Sequence, residues 1–256
     1  MTEGFTADWD DWLIEIKPNP TATCRLFCLP YNGGSITAFD TWPEALPETV
    51  AVYGIQLPGG VDRRHEAPLP TIDAVVQALV PPLLPYLDRP FALYGHSLGA
   101  LVAFELACAM RQTGDRQPLH LFVGAWGTPH LPNPYPHLQH HTDAEIIAQI
   151  LPLVDVPPTI LSHAKTMQVL LPLLKTGAQL HEDYQYAPRD PLDCPISALR
   201  GEADQVITTA AIQAWQQHTC KGFQAQVFPG NHLFLHQAQS LLLDYLTQQL
   251  TPVTRS

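Results

Sequence analysis

The sequence predicts an α/β fold in which helices cover both faces of a largely parallel sheet. Short apolar runs that are typical of buried strands alternate with stretches of helical length. One apolar run, residues 91–94, leads into Gly95-His96-Ser97-Leu98-Gly99 and then directly into a strongly helical segment. The chain has 256 residues, 46% of them hydrophobic, which is enough for one large core.

The strands are expected where apolar runs end in Pro, Gly or Asn. They are residues 13–16 (a short edge strand), 25–29, 50–57, 91–94, 119–124, 196–201 and 224–228. Helices are expected at residues 69–87, 100–110, 210–218 and 233–249. The first of these contains Pro81, Pro82 and Pro85, which predict a break or kink near Val80.

The pattern changes between residues 130 and 188, which we interpret as a lid insertion in a single α/β domain spanning residues 1–256. Loops rich in Pro, His and Gln lead into three helical stretches, residues 143–151, 159–174 and 177–186, with no strand between them. A helical block inserted after a strand is typical of a cover over a functional site.

Charge and composition exclude several classes of function. With 13 basic and 24 acidic residues, the net charge of −11 disfavours nucleic acid and anionic membrane as partners, because both need a basic face. We expect no signal peptide and no membrane span, and therefore a cytoplasmic protein. The five scattered cysteines fit reduced core thiols better than a zinc or redox site.

Ser97 is the candidate nucleophile. In a G-x-S-x-G sequence between a strand and a helix, the two glycines let the backbones approach closely, and the serine is held exposed at a strained turn. The N-terminus of the following helix directs free N–H groups towards negative charge that develops beside the serine.

A serine nucleophile needs a base and a carboxylate that orients the base. Asp204 follows the strand at residues 196–201, and His232 follows the strand at 224–228, so both are expected at the sheet edge that carries Ser97. We expect Ser97, His232 and Asp204 to form a catalytic triad. Glu202 could replace Asp204.

Other acidic residues and histidines are candidates for the same roles. Asp190 and Asp193 precede their strand and are expected at its opposite end. His96 is expected to be structural, and His236 to lie on the surface or in packing contacts. The remaining candidates, His137, His140 and His141, indicate a solvated loop rather than a metal site, because no matching Cys or carboxylate set accompanies them.

Acyl transfer also needs an oxyanion hole. One donor is expected to be the backbone N–H of Leu98, the residue after the nucleophile. The other is expected from the turn after an early strand, at Tyr31 or at Asn32, where Gly33-Gly34 keeps the turn open.

Several segments together resemble a known family, the type II (external) thioesterases of nonribosomal peptide and polyketide synthases. In family order, over about residues 20–245, the segments are Leu29-Pro30-Tyr31-Asn32-Gly33-Gly34, Trp42, Gln56-Leu57-Pro58-Gly59, Gly95-His96-Ser97-Leu98-Gly99-Ala100 with Phe104-Glu105-Leu106-Ala107, Gly201-x-x-Asp204 and Gly230-Asn231-His232-Leu233-Phe234-Leu235.

The resemblance implies an α/β-hydrolase fold with a flexible helical lid. It also implies hydrolysis of acyl thioesters on the phosphopantetheine arm of acyl or peptidyl carrier proteins, with no cofactor or metal of the enzyme's own, in a protein we expect to be monomeric. A dedicated product-releasing thioesterase or cyclase, or a carboxylesterase that acts on oxygen esters, is the alternative.

The chain departs from the family pattern away from the expected triad. The family usually has alanine at Asn32 and arginine at Gly60. Its lid commonly carries Arg-Ala-Asp-Phe where this chain has Lys175-Thr176-Gly177-Ala178, and a glycine pair where this chain has Val154-Asp155-Val156-Pro157. The differences within the lid concern the choice of acyl group.

Overall fold

A seven-stranded sheet organises the chain. The computed structural model describes residues 12–113, 117–135, 141–150 and 163–254. The strands are β1 (Leu13–Glu15), β2 (Cys24–Leu29), β3 (Val50–Ile55), β4 (Phe91–His96), β5 (Leu121–Gly124), β6 (Ile196–Gly201) and β7 (Phe223–Phe228). Their order across the sheet is β1-β3-β2-β4-β5-β6-β7, and only β1 is antiparallel to its neighbour.

Helices connect the strands and cover the sheet. They are α1 (Trp42–Ala45), α2 (Ile72–Leu83), α3 (Leu98–Thr113), α4 (Asp143–Ile150), α5 (Ala164–Glu182), α6 (Thr209–Gln213), α7 (Phe234–Gln237) and α8 (Gln239–Thr254). Short 3-10 turns occupy Ile36–Phe39, Leu84–Tyr86 and Ala214–His218.

The six parallel strands contribute side chains to two cores because successive residues point to opposite faces of the sheet. In β4, Leu93 packs with Phe104 of α3 and Trp215 on one face. Its neighbour Tyr94 packs on the other face, in T-shaped contact with Trp42 of α1 at a ring-centroid distance of 4.9 Å. The predicted α/β architecture with a mostly parallel sheet is therefore confirmed.

Two predicted helices differ from those observed. The predicted break near Val80 lies instead after Leu83, because α2 continues through Pro81 and Pro82 and is followed by the 3-10 turn at Leu84–Tyr86. Burial of Leu79 and Leu83 against the core outweighs the lost backbone hydrogen bond. The predicted helix at 233–249 is divided into α7 and α8 at Ala238, whose backbone is not helical (φ −118°, ψ 32°).

The chain between β5 and β6 also differs from expectation. Instead of two helices at 159–174 and 177–186, one helix, α5, extends over Ala164–Glu182 and includes Pro172. The predicted helix at 143–151 corresponds to α4, while residues 151–162 lie outside the described residues.

The cysteines are all free, as expected for reduced thiols. Cys24, Cys28, Cys108 and Cys194 are buried, but Cys220 is exposed, so the prediction of core thiols is wrong for that residue. Across the described ranges, no helix is long and apolar enough to cross a membrane.

The close contact between β4 and α3 leads to a stability prediction. A methyl group on Gly95 would lie 2.2 Å from the carbonyl oxygen of Gly99, where backbone cannot move aside cheaply. We expect Gly95→Ala to lower the free energy of unfolding in urea by about 1–3 kcal/mol.

The matched control is Gly222→Ala, whose added methyl would meet its nearest neighbour at 3.9 Å. This variant should be neutral or slightly stabilising, because alanine restricts the unfolded chain. Equal stability of the two variants would contradict the packing argument.

Candidate active site

Ser97 lies at the turn between β4 and α3. Its φ of 54° falls in the left-handed region, which a residue with a side chain rarely adopts. The Ser97 N–H donates to the carbonyl of Gly124 on β5 at 2.7 Å, and its carbonyl accepts from Ala100 N–H at 2.8 Å. These bonds fix the turn, so the hydroxyl is held at the carboxyl edge of the parallel strands.

The structure brings Ser97, His232 and Asp204 together in one hydrogen-bonded chain. Ser97 Oγ lies 3.0 Å from His232 Nε2, and His232 Nδ1 lies 2.9 Å from Asp204 Oδ2. All three residues are buried, so the prediction that the serine is exposed is wrong. Because Nδ1 faces the carboxylate, Nε2 of a neutral His232 ring can accept the serine proton.

Asp204 is held ionised by its hydrogen bonds. Burial opposes the charge, but His232 and the N–H groups of Ile207 and Val206 outweigh it and hold the pKa of the carboxyl below its usual value. The two N–H groups donate to Oδ1 at 3.0 and 2.9 Å, which leaves Oδ2 for His232.

The loop that carries His232 is supported by its neighbours on the sheet edge. Gly201 at the end of β6 allows close approach, since a methyl group there would lie 2.0 Å from the carbonyl oxygen of Asn231. Asn231 Oδ1 accepts from Leu233 N–H at 2.9 Å and closes the turn around the histidine. Asp204 and His232 therefore meet because β6 and β7 are adjacent.

His96 has a structural position, as its place in the sequence predicts. Its ring is fully buried, with Nε2 2.7 Å from the backbone oxygen of His232 and Nδ1 3.0 Å from the Tyr94 hydroxyl. Burial and the nearby His232 ring lower the pKa of His96 to about 3. A neutral ring that donates from Nε2 and accepts at Nδ1 satisfies both contacts and holds the His232 backbone.

The competing carboxylates are not at this site. The side chain of Glu202 is exposed, although its N–H donates to the Phe228 carbonyl at 2.7 Å. The carbonyl of Asp190 accepts from Arg111, and Asp193 lies beside Cys220, both at the opposite end of β6. His236 is exposed on α7, with Nε2 3.1 Å from the Tyr31 hydroxyl.

The two segments expected to supply oxyanion donors lie against each other. Leu98 is the first residue of α3, where an N–H has no acceptor within the helix. A methyl group on Gly99 would lie 2.4 Å from the carbonyl oxygen of Leu29 and 2.5 Å from that of Pro30. The helix start therefore contacts the turn that carries Tyr31, and the Tyr31 carbonyl accepts from Gly34 N–H at 2.8 Å.

Tyr135 also reaches the site, although no sequence pattern predicts it. Its ring stacks on Trp126, its hydroxyl donates to the Ala125 carbonyl at 3.2 Å, and the same oxygen lies 3.4 Å from His232 Nε2. Burial raises its pKa, so the hydroxyl stays protonated. Tyr135 lies in a Pro-rich loop without periodicity, where no pattern identifies an inward-pointing residue.

A metal site would need several His, Cys, Asp or Glu side chains close together. Among the described residues, no group of three or more His, Cys, Asp or Glu side chains could hold a metal ion. His141 is described, while His137 and His140 lie outside the described residues.

Comparison with known proteins agrees with this geometry. A thioesterase domain family model matches residues 24–250. The gramicidin S biosynthesis protein GrsT of Aneurinibacillus migulanus is 34% identical over 246 residues, which is 96% of each chain. The chain therefore belongs to the thioesterase family, and it is a serine hydrolase with the α/β-hydrolase fold.

Similarity to solved structures assigns the chain to a narrower group within the thioesterase family. The RedJ thioesterase of the prodiginine pathway in Streptomyces coelicolor is similar with a TM-score of 0.84 and 35% identity, covering 91% of this chain and 88% of RedJ. The type II thioesterase BorB of the borrelidin cluster is similar with a TM-score of 0.84 and 32% identity, covering 94% and 98%. The resemblance to type II thioesterases of nonribosomal peptide and polyketide pathways is thus confirmed.

The buried His96 ring predicts a pH dependence of stability. Between the ordinary pKa of 6.5 and the folded value of about 3, the unfolded chain binds a proton that the folded chain does not. Stability is therefore lost as pH falls through this window, by about 1.4 kcal/mol per pH unit from this one group.

Urea unfolding measured between pH 6 and 4 should show a shallower pH slope for His96→Gln than for the wild type, by about one proton. Phe234→Leu, a substitution of a non-titrating ring 5.1 Å from His96, controls for lost stability and should retain the wild-type slope. An unchanged slope in His96→Gln would contradict a neutral buried ring.

Proposed function

We propose that this thioesterase hydrolyses acyl groups from the 4′-phosphopantetheine arm of acyl or peptidyl carrier proteins, and so edits a nonribosomal peptide or polyketide synthase. The observation that carries the proposal is the hydrogen-bonded chain of Ser97, His232 and Asp204 in a chain that matches type II thioesterases over nearly its full length.

Acylation begins when the Ser97 hydroxyl attacks the thioester carbonyl. His232 Nε2, 3.0 Å away, takes the serine proton as the bond to carbon forms. The carbon–sulfur bond then breaks, His232 returns the proton to the departing pantetheine thiol, and the acyl group stays on Ser97 as an ester.

Deacylation repeats the sequence with water as the nucleophile. His232 takes a proton from water, the water oxygen attacks the ester carbonyl, and the proton returns to Ser97 as the free acid leaves. The ionised Asp204 stabilises the imidazolium form of His232 in both halves and keeps the ring oriented.

The oxyanion of each tetrahedral intermediate is proposed to bind the backbone N–H groups of Tyr31 and Leu98. The contact of Gly99 with the carbonyls of Leu29 and Pro30 supports this assignment, because it sets the α3 start beside the Tyr31 turn. Donors fixed in this way need no reorganisation during the reaction.

The proposal also covers the lid, the cellular location, the oligomeric state and the carrier partner. Residues 130–188 act as a lid on a single α/β domain, and the enzyme works in the cytoplasm as a monomer without a cofactor of its own. The carrier protein brings the pantetheine arm to the site. The acidic net charge of −11 favours a local apolar docking surface over a broad electrostatic one.

Substitutions at the reacting groups test the mechanism. Ser97→Ala and His232→Ala should each reduce release of free acid from acyl-loaded carrier protein by about 10⁴-fold or more. Ser240→Ala, which removes an exposed hydroxyl on α8, is the matched control and should retain wild-type activity.

Other products would overturn the proposed activity in distinct ways. Efficient cleavage of oxygen esters with no turnover of carrier thioesters would indicate a carboxylesterase. A released product that is lighter than the acid by one water would indicate a cyclase. Failure of a fluorophosphonate probe to label Ser97 in the wild type would indicate a non-catalytic protein.

A further inference from the structure

A small cavity lies beside the proposed oxyanion donors. It has a volume of about 70 Å³ and is bounded by the turn at residues 30–34, the loop at 55–62 and one side of α5. Leu98 and Gly99, which directly follow Ser97, form part of its wall, so the cavity lies next to the residue that carries the acyl chain in the proposed reaction. This argument rests on the proposed function, which makes the bound group an acyl chain.

Asn32 joins two walls of this cavity. Its Nδ2 donates to the carbonyl oxygen of Leu174 on α5 at 2.9 Å, while its own backbone directly follows Tyr31. The bond therefore links the turn that carries one proposed oxyanion donor to the helix that covers the site.

The helix is shaped to receive this side chain. A methyl group on Gly177 would lie 2.0 Å from Asn32 Oδ1 and 2.2 Å from Asn32 Cγ, so only glycine allows the amide to lie against α5. Next to Asn32, Gly33 approaches Leu174 and Leu170, since a methyl group there would lie 3.0 and 3.2 Å from their side chains.

The described lining residues leave little room inside this cavity. A water-sized group needs about 10–15 Å³ of such space, so the cavity accommodates roughly five non-hydrogen atoms. Apolar side chains of α5 and the core, among them Leu173, Leu180 and Val75, form much of its lining. The chemistry therefore fits a short, mostly apolar acyl chain.

We propose that Asn32 is a specificity-determining residue: by bridging to α5 at Leu174 and Gly177, it closes the acyl cavity and restricts the enzyme to short acyl groups. Removing the amide frees volume at the cavity wall and releases α5 from the turn. Both changes admit longer chains.

The test is a chain-length series of butyryl, hexanoyl, octanoyl and dodecanoyl groups, loaded on carrier protein and, in parallel, as p-nitrophenyl esters. The wild type should show at least about ten-fold higher kcat/KM for butyryl than for dodecanoyl in whichever series it turns over. Asn32→Ala should raise the dodecanoyl-to-butyryl ratio about five-fold or more, the factor that corresponds to one net hydrogen bond.

Three further variants separate loss of the Asn32–α5 contact from a general loss of activity. Asn32→Asp keeps the side-chain size but loses the donor to the Leu174 carbonyl, so it should shift the ratio in the same direction by a smaller factor. Gly177→Ala should also shift it, by displacing Asn32 from α5. In the double variant Asn32→Ala/Gly177→Ala the added methyl occupies the vacated space and displaces no amide, so the ratio should not exceed that of Asn32→Ala alone.

The control is Asn19→Ala. It removes an amide that donates to the Glu48 carbonyl at a distance of 2.8 Å. Asn19 does not line the cavity, so this variant should leave the ratio unchanged. A wild type that prefers dodecanoyl, or an Asn32→Ala ratio equal to that of the wild type, overturns the inference. Turnover of p-nitrophenyl esters but not of carrier thioesters overturns the proposed function instead, and the ester series still decides the role of Asn32.

Discussion

The backbone contact between β4 and α3 is the constraint on which the site depends. Gly95 lets the two elements approach closely around Ser97, which is held at a φ of 54°, and Gly99 lets the start of α3 approach the turn after β2. A left-handed serine costs free energy, and the bond from its N–H to Gly124 together with burial of the surrounding strands offsets that cost. Ser97, the proposed nucleophile, is thus positioned by the centre of the fold and not by a loop.

Tyr31, Asp204 and His232 lie close to Ser97 because all of them follow strands at the carboxyl edge of the sheet. β2 lies on one side of β4, and β5, β6 and β7 follow on the other. The turn after β2 therefore carries Tyr31 towards the start of α3, while the turns after β6 and β7 carry Asp204 and His232. His96 links β4 to the turn after β7, because it belongs to β4 and forms a hydrogen bond with the backbone of His232.

The sequence predicted the strands well because each is a short apolar run that ends in turn-forming residues. The strand at 196–201 was predicted with its observed bounds, and the positions of Ser97, Asp204 and His232 after their strands indicated which groups would meet. Local patterns failed where tertiary packing decides the structure. Burial carries α2 past Pro81, and Tyr135 reaches His232 from a loop with no periodicity.

The contact between Asn32 and α5 also depends on tertiary packing, because it joins residues that are distant in sequence. Asn32 and Gly177 were separate departures from the family pattern, and no spacing rule relates them. In the structure they face each other, and the amide of one occupies the space that a side chain on the other would fill. One hydrogen bond therefore joins the turn that carries Asn32 to α5. A substitution at Asn32 or Gly177 changes the shape of the acyl cavity, while the sheet keeps the geometry of the proposed triad fixed.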